Sequence, residues 1–329
     1  MAVTMAEISK LRNLTSAGLM DCKKALAETN GDIEAAVEIL RKKGQAVAAK
    51  REDRQAAEGC VIAKNEGNFA AVLALNCETD FVAKNAGFVE LTNKILDAAI
   101  ANRVADVEAL KALEIDGRTV ADLVVENTGK TGEKTEISSY EVVEAASTSS
   151  YTHFGNKLAV VVGFNQEVPY QVGREVAMQV ASMNPIAVDR DHVPAATIES
   201  ERSIAIEKTK DEQVKKAVEA ALKKAGINPN LVDSEDHISS NIAKGWLTEE
   251  EAVKAREIIA ATAEAKRANL PAQMIESIAQ GRVNKFLKES CLMEQEFIND
   301  SKLTIGQYLD QTVKGLAAVD FKRVNLNQD

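Results

Sequence analysis

The sequence predicts an α+β protein in several units: a three-helix N-terminal domain, a two-part α+β core with small antiparallel sheets, an inserted helical hairpin or coiled coil, and a short C-terminal helical module. Three observations predict it. Apolar residues recur at helical spacing as far as Lys43. The pattern changes to strand-like runs after Gly59 and again from Tyr151. Between about Val193 and Leu270 strand signals vanish, and the chain becomes charged and alanine-rich. A chain of 329 residues, 45% hydrophobic, is also long for one core, since domains usually run to roughly 100–200 residues.

From the N-terminus, the helical positions fall in three bursts: Ile8, Leu11 and Leu14; Leu19, Cys22 and Leu26; Ile33, Val37 and Leu40. Asn30-Gly31 is placed to stop the second helix, Asp32 to cap the third and Gly44 to end it. Residues 45–57 read as a linker or loose helical extension, so the first domain and its linker span 1–56. A hairpin follows, Cys60–Ala63 and Phe69–Leu75 around a turn at Asn65–Asn68, and then a helix from about Gly87 with Phe88, Leu91, Ile95 and Ala98 on one face. The same plan recurs with Tyr151–Phe154, a Gly155-Asn156 turn, Leu158–Phe164 and a helix over Gly173–Met183, which suggests two related halves. They span 57–146, and 147–192 plus 271–302. The insert, 193–270, carries helices near Glu199–Ala225 and Glu249–Ala268, the second opened by a capping box at Thr248–Glu251. Residues 303–329 are assigned to the terminal module.

The balance of 40 Lys+Arg against 50 Asp+Glu, a net −10, disfavours direct nucleic-acid binding, which needs clustered positive charge. Residues 1–56 carry ten Lys/Arg against eight Asp/Glu, a local net of +2, so the first domain is the more basic end. Cys22, Cys60, Cys77 and Cys291 show no C-x-x-C pairing and read as buried hydrophobes in a reducing compartment. No run approaches the roughly 20 apolar residues of a membrane span, and no signal peptide is evident, so the expectation is a cytoplasmic protein without a membrane partner.

Few residues suit covalent chemistry. His153, His192 and His237 lie 39 and 45 residues apart without metal-ligand spacing, and neither a phosphate loop nor a convincing G-x-G-x-x-G is present. The sequence therefore predicts no cofactor, no metal and no catalytic residue. One stretch stands out: Asn76-Cys77-Glu78-Thr79-Asp80-Phe81-Val82-Ala83-Lys84 follows a wholly apolar strand and mixes acids with an aromatic. On residue types alone, either Thr79 or Asp80 caps a turn while Phe81 and Val82 return to the core, or Phe81 projects as a wedge.

That stretch resembles the T-D-F-V-A-K element of the elongation factor Ts family. Leu11-Arg12-Asn13-Leu14-Thr15-Ser16-Ala17-Gly18-Leu19-Met20-Asp21-Cys22-Lys23-Lys24-Ala25-Leu26 resembles the same family's N-terminal segment, and Asn30-Gly31-Asp32, Ser150-Tyr151-Thr152-His153, Gly281-Arg282 and Lys285-Phe286 extend the likeness. The resemblance implies a ubiquitin-associated-like N-terminal fold and a GTPase partner, elongation factor Tu. It implies guanine-nucleotide exchange without covalent chemistry: Leu19, Met20 and Lys23 touching the partner, Thr79, Asp80, Phe81 and Val82 pressing near its nucleotide pocket to displace groups that hold Mg²⁺, and His153 facing a second domain. His153 also reads simply as a solvated turn residue. Ala74, Glu296 and a longer helical stretch over Thr209–Lys266 depart from the family's usual pattern. Two other readings stand beside exchange: a non-catalytic adaptor or chaperone-like scaffold, and a thiol enzyme using Cys77 beside Asp80 with a remote histidine.

Overall fold

A computed structural model describes residues 3–15 and 17–326. It resolves two compact units. One takes the chain as far as Val188 and again from Leu292; the other is Asp189–Cys291.

The first unit opens with three helices, α1 (Met5–Thr15), α2 (Leu19–Glu28) and α3 (Ile33–Arg51). Ile8, Leu11, Cys22, Ala25, Leu26 and Ala36 form their core, with Ile33, Val37 and Leu40 against it. Asn30 and Gly31 take left-handed conformations, and the Asp32 carboxylate accepts from the Ala35 N–H at 3.1 Å, so the turn and cap are as the sequence indicates. Leu14 and Leu19, expected inside, are 52% and 41% exposed. Gly44 does not end α3. It lies mid-helix because a Cβ on Gly129 would stand 2.7 Å from the Gly44 Cα: the missing side chains let two helices touch.

The core continues with β1 (Glu58–Glu66), β2 (Phe69–Cys77), α4 (Asp80–Ala83), α5 (Ala86–Ala101), α6 (Val107–Ala112), a short ribbon β3 (Glu114–Ile115) and β4 (Arg118–Thr119), α7 (Val120–Thr131) and β5 (Thr135–Glu144). Strands β1-β2-β5 form an antiparallel sheet in that order. The second half repeats the plan with β6 (Ser147–Thr152), β7 (Leu158–Phe164) and α8 (Tyr170–Met183). After the second unit, the chain returns through a ribbon, β8 (Glu296–Phe297) and β9 (Asp300–Thr304), then α13 (Ile305–Thr312) and β10 (Ala318–Asn325), giving a sheet ordered β10-β7-β6. Residues 303–326 are therefore not a separate helical module. Their strand pairs along β7 from Ala318↔Phe164 to Asn325↔Leu158, because the central apolar strand needs a partner on each edge.

Alternation assigns each face. Cys60, Ile62, Phe69, Leu73 and Leu75 point to α5 and α7, whereas Val61, Ala63, Ala70, Val72 and Ala74 meet Ala159 and Val161 of the other sheet. The outer face of the second sheet, Val160, Val162 and Phe164, packs with Val176, Val180 and Leu309 of α8 and α13. The edge of β1 is closed by the second half: the Val61 N–H donates to Asn156 O at 2.7 Å and the Ala63 N–H to Thr152 Oγ1 at 3.0 Å.

The second unit consists of α9 (Ala195–Lys224), α10 (Glu235–Ala243), α11 (Glu249–Ala268) and α12 (Ala272–Ser290). Both α11 and α12 pack on α9. The capping box at Thr248 and Glu251 is present. Helix α12 was expected in the core, but Arg202–Glu276 at 2.7 Å and Arg282–Glu212 at 2.6 Å tie it to α9, so the helical unit extends to Cys291.

Candidate functional site

Strand β2 is buried along its whole length and delivers the chain to a junction held from several directions. Thr79 caps α4, with the Val82 N–H 3.5 Å from its Oγ1. Its own N–H and hydroxyl donate to the two carboxylate oxygens of Glu133 at 3.0 and 2.7 Å. Glu78 accepts from the Lys134 N–H at 2.7 Å and from Arg51 Nη1 at 2.9 and 3.0 Å. The Lys134 N–H, and then Arg51, hold the Glu78 carboxyl below the usual carboxylate range. Val82 packs against the core, and Ala83 is buried within it.

Phe81 does not return to the core. It is 85% exposed, on a one-turn helix whose neighbours on both sides are fixed. Single exposed apolar residues are ordinary; this ring differs in standing on a turn whose flanking residues are bonded to the core. Asp80 beside it pairs with Lys84 at 2.6 Å, and that hydrogen bond lowers its pKa. Cys77 is no nucleophile: it is fully buried, its thiol donates to Thr79 O at 3.2 Å, and burial pushes its pKa up to about 12. With Cys77 sealed in the core and its thiol kept protonated, the thiol-enzyme reading loses its nucleophile.

His153 sits in the turn between β6 and β7, exposed, with Nδ1 2.8 Å from the Tyr151 hydroxyl. Two backbone bonds close the turn: the His153 N–H donates to Leu158 O and the Asn156 N–H to His153 O. Lys157 at its end meets Glu58 at 2.7 Å, and Glu58 stands opposite Cys77 in the sheet register. The His153 turn and the Phe81 turn therefore lie toward one end of the core. Phe154, which the sequence reading did not single out, is 97% exposed there. Only its place in a Gly-Asn turn beside His153 hints at this.

Leu19, Met20 and Lys23 all lie exposed on α2, Met20 at 69%, while Cys22, Ala25 and Leu26 fill the core on the opposite side. The three-helix domain reaches the Phe81 junction through α3 and Arg51 rather than through these residues. Among the described residues, no His/Cys/Asp/Glu group is arranged to hold a metal ion, and no helix is long and apolar enough to cross a membrane.

The family model described as Elongation factor TS matches residues 78–224 and 213–328, beginning at the Phe81 junction. The chain belongs to the elongation factor Ts family. Relatives named Elongation factor Ts match across all of this chain and all of their own length: that of Phocaeicola vulgatus at 58% identity over 330 residues, that of Bacteroides thetaiotaomicron at 56%, and that of Porphyromonas gingivalis at 44%. These family members align end to end with this chain, so the alignment takes in the sequence of the helical unit.

Proposed function

We propose that this chain accelerates GDP release from the GTPase elongation factor Tu during translation elongation in the cytoplasm, acting by contact alone. Membership of the elongation factor Ts family supports the role, and one observation carries the mechanism: Phe81 is 85% exposed on a turn fixed by Glu133, Arg51 and Lys134. An exchange factor must bind the nucleotide-free partner more tightly than the GDP-bound one, and linkage requires GDP to weaken factor binding equally. Mg²⁺ at the partner's nucleotide demands near-ideal octahedral geometry, so a small displacement of one of its holders loosens the nucleotide. Thr79, Asp80, Phe81 and Val82 form the wedge, with Phe81 entering and Asp80 offering its carboxylate. Leu19, Met20 and Lys23 hold the GTPase domain, and His153 with Phe154 meets a second domain.

Each tenfold gain in release needs about 1.4 kcal/mol, and burying one Phe supplies roughly 1.5–3 kcal/mol, so Phe81 accounts for about one to two decades. A turn already fixed in the free protein avoids the ordering cost that a flexible loop would incur on binding. The test is release of a fluorescent GDP analogue from purified elongation factor Tu, with and without this protein and its Asp80→Ala/Phe81→Ala variant. Acceleration that falls at least tenfold in the folded variant supports the reading. Binding without any change in GDP release would hand the function to the scaffold reading.

A further inference from the structure

Helix α3 serves two places at once. Its N-terminal half supplies Ile33, Ala36, Val37 and Leu40 to the core of the three-helix domain. Its middle lies against α7 at the Gly44–Gly129 contact, reinforced by Arg41–Asp122 at 2.8 Å. Its last residue, Arg51, holds Glu78, the residue before the cap of the Phe81 turn. Helix α7 ends at the same junction: the turn after it, opened by Gly132 in the left-handed conformation, presents Glu133 to Thr79 and the Lys134 N–H to Glu78. Two helices in backbone contact thus converge on residues 78 and 79, one from the three-helix domain and one from the core.

We infer that Arg51 is a positioning residue, and that its ion pair with Glu78 transmits the seating of the three-helix domain to the attitude of the Phe81 turn. The inference rests on the exchange reading above and deepens it. A helix of 19 residues spans about 28 Å and is stiff over that length, so a tilt imposed where the domain meets its partner moves the far end as well. Arg51 is suited to pass this on: its Nη1 donates to both carboxylate oxygens of Glu78, whose side chain is only 15% exposed, and charge-assisted bonds are stronger than neutral ones. Without the pair, Glu133 and Lys134 still fold the junction, and the three-helix domain reaches it only indirectly, through the contact of α3 with α7 at Gly44 and Gly129.

The experiment measures GDP release from elongation factor Tu as a function of the concentration of the full-length protein, separating the maximal rate from the half-saturating concentration. Arg51→Gln is expected to lower the maximal rate about fivefold and leave the half-saturating concentration within about twofold, with Arg51→Lys recovering part of the loss. Met20→Ala, which weakens seating of the domain, should lower the maximal rate in the native background by clearly more than it does in Arg51→Gln. Glu78→Gln keeps an acceptor for Lys134 and removes the charge facing Arg51, so it substitutes for Arg51→Gln if that variant folds poorly. Phe81→Ala is the control. If Phe81→Ala slows release and the Arg51 and Glu78 variants alter only the half-saturating concentration, or nothing, the coupling is wrong and exchange stands. If the native protein does not accelerate release at all, the exchange reading falls and the coupling falls with it.

Discussion

The two halves of the core follow one plan. Each opens with a hairpin, β1–β2 or β6–β7, and each later adds a strand, β5 or β10, to the second strand of that hairpin. Before the added strand, each half makes a two-residue-wide ribbon contact and then a helix capped by threonine, Thr119 for α7 and Thr304 for α13. They differ at the exit from the central strand. The first half inserts α4 and projects Phe81. In the second, Asn165 and Gln166 bond to the backbone of residues 314–317, and the chain enters α8 directly after Pro169. The exposed phenylalanine of the second half sits on its hairpin turn instead. A shared scaffold leaves the placement of a projecting ring to the junctions.

The comparison breaks most visibly if the halves are unequal in their cores. Phe69→Ala and Phe164→Ala, each removing a ring no more than 1% exposed, should each cost about 3–5 kcal/mol in chemical denaturation followed by circular dichroism. A much smaller loss in one would show that its half is loosely packed. Phe81→Ala should leave stability within about 0.5 kcal/mol while slowing exchange by about one to two decades, the reverse pattern. Thr119→Ala and Thr304→Ala sharpen the parallel: each cap accepts from a backbone N–H three residues on, and each loss should cost about 1 kcal/mol, slightly more for Thr119 because its hydroxyl also donates to Asp122, whereas Gln307 keeps its bond to the residue 304 N–H.

The smallest effect is in acid. The folded pKa of Glu78 lies below its unfolded value, so its contribution is fully present above the ordinary glutamate range and is lost as pH falls through the folded value. Hydrogen exchange should therefore show residues 79–83 losing protection at low pH before the corresponding exit at residues 165–168, where amide side chains hold the chain.

Much of this architecture was legible in the sequence, and the failures are instructive. Asn30-Gly31-Asp32 and Thr248–Glu251 carry their own local chemistry, so turn and caps could be read directly. Gly44 misled because a glycine that ends a helix and one that admits a second helix look alike until Gly129, far along the chain, is brought against it. Strand β10 was missed because its partner lies more than a hundred residues earlier, across the helical unit. Within the candidate site, residue types left Phe81 undecided between core and solvent. What settles its exposure is Glu133, Lys134 and Arg51, none of them adjacent to it.

The position of the helical unit also orders the protein's synthesis. The first sheet has all its strands once Glu144 has been made, but the second must wait for Ala318–Asn325. During translation the apolar strand β7 therefore emerges with one edge open, and it stays open while all of Asp189–Cys291 is produced and free to fold. Contacts so distant in sequence form slowly. The first half, which carries Phe81, is complete early; the half that carries Phe154 is the last part of the nascent chain to mature and the one most exposed to mispairing on the ribosome.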